Sequence, residues 1–136
     1  MNILGIDTSD KVCKLKLFKV NLFKGNENQI VKKEWLADRE LSKGLLRFLE
    51  DFLKENHLSF WDIKGLVIFK GPGSYTGLRI GITVFNTYSD TTKIPIVGET
   101  GEDWFLKGVK RLECGENDKV VMPKYLAPAH ITKQRK

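Results

Sequence analysis

A glycine-rich segment, GPGSYTG at residues 71–77, limits what the chain can fold into more than any other part of the 136-residue sequence. One residue, Lys70, separates it from the apolar run LVIF at residues 66–69, which predicts a buried, central strand. Gly71 and Gly73 permit positive φ angles, and Pro72 stiffens the turn between them. We therefore expect a strand that ends in a tight turn at this point.

The spacing of residues 71–77 does not decide whether this segment contacts phosphate or only forms a turn. A helix beginning near Thr76 would direct free N–H groups at the loop, and Gly77 would let the backbone pass close to a neighbour. The spacing fits neither the Walker pattern nor the dinucleotide fingerprint, and no nucleophile-elbow motif surrounds Ser74. Asp7, at the end of the first strand, suits either a hydrated Mg²⁺ or a turn. A structural turn is favoured over a phosphate contact.

Period-two patterns predict three strands before the first helix. The segments are residues 2–7, 12–18, where apolar side chains alternate with Lys14 and Lys16, and 30–36. A polar turn is predicted at residues 23–29. Three strands in succession indicate an antiparallel meander.

The pattern then changes to a helical period over residues 40–56. The apolar positions cover roughly 160° of the helix, wider than an ordinary stripe of about 100°. Burial by a second element of the same chain is favoured over burial by another protein as the explanation. The apolar residues of this helix are Leu41, Leu45, Leu46, Phe48, Leu49, Phe52 and Leu53.

Later segments give weaker signals. Ser59 and Asp62 have the spacing of a capping pair. Residues 78–89 alternate as a strand would, although a helix is also compatible with them. A short strand is predicted at residues 94–98, where the proline suits either an edge strand or the start of a strand, and a weakly amphipathic helix at 102–112. The run KVVM at 119–122 predicts a last strand, and residues 123–136 an irregular basic tail.

Composition places the chain among ordinary soluble globular proteins, with 41% hydrophobic and 29% charged residues. No segment approaches the roughly 18 apolar residues of a membrane span, and the N-terminus does not resemble a signal peptide. Cys13 and Cys114 lack metal spacing, and His57 and His130 are isolated from them. These features predict a reduced, cytoplasmic protein without a zinc site.

The formal net charge of +6 favours acidic partners, including RNA. Basic residues cluster at 107–111 and at 133–136. Solvation is the simpler explanation of these runs, and no aromatic RNA-binding motif accompanies them.

Five segments together resemble the TsaB (YeaZ) family. They are ILGIDTS at 3–9, Arg-Glu at 39–40, GPGSYTGLRIG at 71–81, IPIVG at 94–98 and MPKYL at 122–126. The resemblance implies a ribonuclease H-like α/β domain of the actin and sugar-kinase (ASKHA) superfamily. Its mixed five-stranded sheet would have three antiparallel strands, then parallel strands. Residues 78–89 would then be helical, against their local preference.

The resemblance also implies a function. TsaB proteins are non-catalytic adaptors that bind the catalytic subunit TsaD in the N6-threonylcarbamoylation of tRNA adenosine. A TsaE-type ATPase and, through the complex, tRNA would be further partners, and a homodimer is expected when the chain is alone. The zinc-binding histidine pair of peptidase-like relatives is missing. No cofactor is expected beyond a weak ATP or ADP contact at a partner interface. The alternatives are a small nucleotide-binding phosphotransferase, or an RNA-binding module acting through the basic tail.

Two sets of residues follow from the resemblance. The implied partner surface lies on the helices predicted at 40–56 and 77–89, and comprises Leu41, Leu45, Leu46, Leu49, Leu53, Leu78, Arg79, Ile82, Thr83 and Asn86. The implied vestigial phosphate loop comprises Asp7, Ser9, Gly71, Gly73, Ser74, Thr76 and Gly77.

The chain departs from the family pattern in two places. Residues 1–105 would form the first domain, and residues 106–136 a remnant of a much larger second domain and a tail, which predicts a minimal scaffold. The second helix carries Val84, Phe85, Asn86 and Tyr88 where the family has alanine and glycine, so we expect wider spacing from a partner helix.

Overall fold

A five-stranded mixed sheet forms the centre of the molecule, in the order β3-β2-β1-β4-β5. The computed structural model describes residues 1–21 and 27–124. The elements are β1 (Ile3–Asp7), β2 (Val12–Asn21), β3 (Glu27–Leu36), α1 (Leu41–Glu55), β4 (Gly65–Phe69), α2 (Tyr75–Thr92), β5 (Ile96–Glu99) and α3 (Trp104–Glu113). The first three strands pair antiparallel, whereas β4 pairs parallel with β1 and β5. The predicted meander and fold class are therefore confirmed.

The helices pack on both faces of this sheet. Alternation along β1 directs Leu4 and Ile6 into the core beneath α1 and α2, and Ile3 into the core beneath α3. Gly5 lies beneath α3, where a Cβ atom would stand 2.4 Å from the ring of Phe105. No helix in the described part of the chain is long and apolar enough to cross a membrane.

The wide apolar arc of α1 is explained within the chain. Phe48 packs against Trp35 of β3 with ring centroids 5.2 Å apart, while other side chains of the arc join the same core as α2. Only Leu46 among the seven apolar positions is exposed, at 62%. The intramolecular explanation of the arc is therefore correct.

Residues 75–92 form the helix α2, so the strand preference of residues 78–89 is wrong and the implication of the resemblance is confirmed. Ser74 caps the helix by accepting a hydrogen bond from the Gly77 N–H. Thr8 Oγ1 donates to the Gly77 carbonyl at 2.7 Å. A Cβ atom at Gly81 would stand 2.2 Å from Thr8 Oγ1, so glycine allows α2 to lie directly on the β1–β2 turn.

The predicted strand at residues 119–122 does not form. Side chains occupy the edge of β5 instead: Asn117 accepts from the Ile96 N–H at 3.1 Å and Asp118 from the Gly98 N–H at 2.9 Å. The backbone of Val121 is bonded to a side chain of α2, so it has no strand partner.

The capping pair, the polar turn with the tail, and the domain boundary are the remaining sequence predictions. The capping pair of Ser59 and Asp62 is confirmed, around a short 3-10 helix. Residues 27–29 of the predicted turn belong to β3, and residues 22–26, like most of the tail, lie outside the described residues. The domain boundary drawn at residue 105 falls inside α3, which packs on β4 and β5.

Candidate protein-interaction site

A groove runs along the outer side of α2, away from the sheet, and reaches the first turn of α1 at Ser42. Its volume is about 410 Å³, and its walls are Ser42, Tyr75, Thr76, Arg79, Ile80, Thr83 and Val84. We call these seven residues the outer groove. Arg79 is held within it, because Nη1 donates to the Tyr75 hydroxyl at 3.0 Å and the guanidinium lies over the same ring.

The apolar residues of α2 form two stripes. Leu78 and Ile82 are four residues apart and buried in the core, whereas Ile80 and Val84 line the outer groove. At about 100° per residue, a shift of two positions carries a side chain to the opposite side of the helix. This second stripe accounts for the strand-like alternation in the sequence. It leaves apolar surface on the side of α2 that faces away from the sheet.

Six of the predicted partner residues belong to the core of the chain itself, which corrects their assignment to a helix surface. Each is at most 6% exposed, since α1 and α2 use these positions to pack on the sheet. They are Leu41, Leu45, Leu49, Leu53, Leu78 and Ile82. Leu46, Arg79 and Thr83 are exposed, as that assignment requires.

Asn86 holds the segment that follows α3. Its Nδ2 donates to the Val121 carbonyl at 3.0 Å, and its Oδ1 accepts from the Val121 N–H at 2.9 Å. Both ends of the amide are thus engaged inside the chain. Phe85 and Tyr88 are also buried, so of the four residues that replace the family's alanine and glycine only Val84 contributes to the outer groove.

A second cleft adjoins the groove at the first turns of α1 and α2. It shares Ser42, Thr76 and Ile80 with the outer groove and also has a volume of about 410 Å³. Charged side chains of both signs line it: Asp10, Lys11, Asp38 and Arg39. The cleft extends the apolar groove with a polar end.

The glycine loop packs against the β1–β2 turn. The Ser74 N–H donates to the Ser9 carbonyl at 2.9 Å, and a Cβ atom at Gly73 would stand 2.5 Å from the Ser9 Cβ. At Gly77 it would stand 2.2 Å from the Thr8 carbonyl oxygen. Close backbone contact therefore explains these two glycines without a ligand.

The other residues of the predicted phosphate loop have structural contacts as well. Asp7 Oδ1 accepts hydrogen bonds from the backbone N–H and the hydroxyl of Ser9, at 2.8 and 2.6 Å. Gly71 adopts a φ of +121° and lies against the Lys124 carbonyl. Thr76 is exposed and lines both cavities. The structure thus brings the whole predicted set together around one turn.

The basic cluster at 107–111 is largely paired with carboxylates. Lys107 lies near Glu99 and Asp103, and Arg111 binds Glu99, Glu116 and Asp118. The hydrogen bonds that Arg111 donates to the carboxylates of Asp118 and Glu116 raise its pKa. Burial would raise the pKa of Asp118, but hydrogen bonds from Arg111 and the Gly98 N–H lower it overall. This cluster therefore offers little free positive charge.

Candidate metal-binding and reactive groups are few in the described ranges. They contain no group of three or more His, Cys, Asp or Glu side chains that could hold a metal ion. His57 is exposed, and His130 lies outside the described residues. Burial, and to a lesser extent Asp7, raises the pKa of the Cys13 thiol to about 12, which keeps this thiol protonated.

The topology and the packing of helices on both faces define a ribonuclease H-like α/β domain of the ASKHA type. Two Pseudomonas aeruginosa structures share this fold. One is a protein with similarity to peptidase YeaZ, with a TM-score of 0.65 and 23% identity over 84% of this chain and 49% of that one. The other is YeaZ, with a TM-score of 0.62 and 23% identity over 74% of this chain and 45% of that one.

Sequence relatives give the family. Residues 34–104, about half of the chain, match the family described as TsaD: tRNA N6-adenosine threonylcarbamoyltransferase. The tRNA threonylcarbamoyladenosine biosynthesis protein TsaB of Escherichia coli is 32% identical over 72% of this chain and 39% of its own length. TsaB of Bacillus subtilis is 31% identical over 71% and 39%. The chain belongs to this family of TsaB (YeaZ) and TsaD proteins, and it spans about two fifths of these two TsaB relatives.

Proposed function

We propose that the chain acts in the cytoplasm as a non-catalytic subunit in tRNA threonylcarbamoyladenosine biosynthesis. In this role it binds a TsaD-type catalytic subunit through the outer groove and the neighbouring Leu46. The family membership and the names of the TsaB relatives support the pathway. The second apolar stripe on α2 supports a role in binding and carries the proposal.

The fold leaves apolar surface uncovered along the outer groove. Ile80 and Val84 are half-buried at the groove, and Leu46 is 62% exposed one turn after Ser42 on α1. Residues four apart lie on the same side of a helix, so Leu46 extends the groove along α1. Covering such surface releases about 25 cal/mol per Å². A helix of a related fold, with its own apolar stripe, fits a groove between two helices.

The test uses two exposed leucines on opposite faces of the sheet. Leu46→Lys places a charge beside the outer groove. The control, Leu106→Lys, places the same charge on α3, where the leucine is 49% exposed. We expect Leu46→Lys to weaken binding of the cognate TsaD-type subunit at least tenfold in calorimetry, since burying an unpaired charge is costly. Leu106→Lys should leave the affinity unchanged. Equal affinities of the two folded variants would disprove this binding surface.

Other contacts follow from the same role. A TsaE-type ATPase would join the complex with the catalytic subunit. When that subunit is absent, two copies of this chain would pair through the outer groove. Leu46→Lys should abolish this dimer, as measured by analytical sedimentation. ATP or ADP would contact this chain only at the subunit interface, because Asp7, Gly73 and Gly77 are engaged with residues 8–9. Amide shifts of Gly71–Gly77 in the isolated chain at millimolar ATP would contradict this.

A further inference from the structure

The half of the sheet formed by β2 and β3 carries a row of lysines on the face opposite α1. Lys14 and Lys16 alternate with buried residues of β2, and Lys32 of β3 is paired in register with Lys16. We call these three residues the lysine face. The helix α3 packs on β4 and β5, and it leaves Lys14 and Lys32 exposed.

The three lysine side chains leave the sheet from neighbouring positions. Side chains directly opposite in an antiparallel pair have Cβ atoms about 5 Å apart. Residues two apart on a strand are separated by about 7 Å. The ammonium of Lys16 is also fixed towards α3, with Nζ 5.2 Å from the centre of the Trp104 ring. The lysine face is therefore a compact positive patch.

Like charges directly opposite each other destabilise a sheet. Among the described residues, the basic members of salt bridges are other side chains: Lys33, Lys54, Lys93, Lys107 and Arg111. Burial lowers the pKa of Lys16, Lys32 and Lys14 lower it further, and Asp7 offsets part of this lowering. The free chain thus keeps an electrostatic cost at the Lys16–Lys32 pair that a bound anion would relieve.

Two carboxylates lie beside the lysine face on the same side of the sheet. Asp7 and Glu34 are both paired in register with Lys14, one on each side. Asp7 is already engaged by Ser9, and neither carboxylate reaches salt-bridge distance of a lysine of the face. On β1 the position beside Lys16 is Gly5, so the Lys16–Lys32 pair is flanked by no carboxylate in the sheet register.

The surroundings favour a nucleic acid over a protein as the occupant. Protein interfaces have an apolar centre and are depleted in lysine. Here Phe18 is only 6% exposed, and the exposed apolar side chains of this face, Ile30 at 39% and Leu36 at 68%, lie on either side of Lys32 and Glu34 along β3. The centre of the face is therefore charged rather than apolar. Interfaces with nucleic acids are more polar and more positively charged, and phosphates are commonly bound by lysine.

We propose that the lysine face binds the sugar–phosphate backbone of tRNA. Lys16 and Lys32 contact phosphates, and Lys14 extends the contact along β2. The choice of tRNA rests on the proposed function, whereas the presence of a phosphate-binding surface rests on the geometry alone. This surface is on the opposite face of the sheet from the outer groove, so tRNA and a protein partner bind the chain together.

The experiment compares two charge-matched variants of the full chain. Lys14→Gln, Lys16→Gln and Lys32→Gln are combined in one variant. The control combines Lys54→Gln, Lys64→Gln and Lys110→Gln, all exposed positions elsewhere. Affinity for an unmodified tRNA transcript is measured by fluorescence anisotropy between about 50 and 200 mM salt.

The expected result is a specific loss of salt dependence. Each phosphate contact contributes about 0.7–0.9 to the slope of log affinity against log salt, so the lysine-face variant should lose about two to three units. Its affinity at the lowest salt should fall at least tenfold, and the control should lose less than one unit. Equal slopes for the two variants would overturn the proposal. So would binding of polyglutamate as tight as that of tRNA and equally dependent on the lysine face, because it would indicate an acidic protein.

A parallel measurement separates this inference from the proposed function. The affinity of the lysine-face variant for the TsaD-type subunit is measured without RNA and should equal that of the unmodified chain. Loss of the tRNA slope with unchanged partner affinity supports both statements. An unchanged tRNA slope with intact partner binding overturns only the lysine face. In a further outcome, the lysine-face variant shows the expected loss of salt dependence in tRNA binding while the unmodified chain fails to bind the TsaD-type subunit. That result refutes only the proposed function.

Discussion

Leu46 and Leu49 of α1 should contribute very differently to the free energy of unfolding, because one is exposed and the other is buried. Leu49 is fully buried, and a buried Leu→Ala substitution typically costs about 2–5 kcal/mol through lost burial and the cavity left behind. Leu46 remains 62% exposed, so it buries about two fifths of its surface. Full burial of leucine is worth about 1.5–3 kcal/mol, which limits Leu46→Ala to about 1 kcal/mol.

Urea unfolding followed by far-UV circular dichroism measures both values. We expect Leu49→Ala to lower the free energy of unfolding by at least 2 kcal/mol, with an unchanged dependence on urea. Leu46→Ala should lower it by less than about 1 kcal/mol, since alanine also favours the helix slightly. Equal costs, or a larger cost at Leu46, would refute the orientation of α1 and, with it, the division of its leucines between core and partner surface.

Two further predictions concern the turn and the C-terminal segment. Gly77→Ala should cost about 1–3 kcal/mol, because its Cβ would stand 2.2 Å from the Thr8 carbonyl oxygen, whereas exposed Thr76→Ala should cost under about 0.5 kcal/mol. Similar urea midpoints would contradict this contact. The lowered pKa of Asp118 stabilises the fold fully above about pH 5, and this contribution is lost as pH falls through the lower folded pKa. Asp118→Asn should therefore remove part of the acid sensitivity of unfolding, and an identical pH profile would contradict the Arg111 contact.

The sequence predicts the elements whose apolar period is unambiguous. Alternation in β2 arises because Cys13, Leu15 and Leu17 face the core while the lysines face away from it. The helix α2 was the difficult case, because its core stripe and its groove stripe are offset by two residues and imitate a strand. Only the resemblance to the family indicated its true conformation. The same double stripe is the signal that could have located Ile80 and Val84 in the groove.

The candidate site was only partly predictable, for a physical reason. Apolar periodicity identifies which side of α1 avoids water, but it does not say whether the sheet or another protein covers that side. Six predicted contact residues, Leu49 among them, are therefore in the core. Asn86 was unpredictable for another reason: its partner, Val121, is 35 residues away in sequence.

In the glycine loop, the sequence identified the important positions but not the contacts that explain them. The need for small residues at Gly73 and Gly77 was evident from the sequence, but the cause was not. Their neighbours are Ser9 and Thr8, which the β1–β2 turn brings against the loop. Backbone packing against this turn thus accounts for both glycines.

Reconstituted tRNA modification tests the central claim most directly. The rate of threonylcarbamoyladenosine formation by the cognate TsaD-type subunit is measured alone, with this chain, with Leu46→Lys and with Leu106→Lys. We predict that the chain and Leu106→Lys raise the rate equally, and that Leu46→Lys at the same concentration raises it at least tenfold less. Equal stimulation by the two variants, or no stimulation by the unmodified chain, would contradict the account.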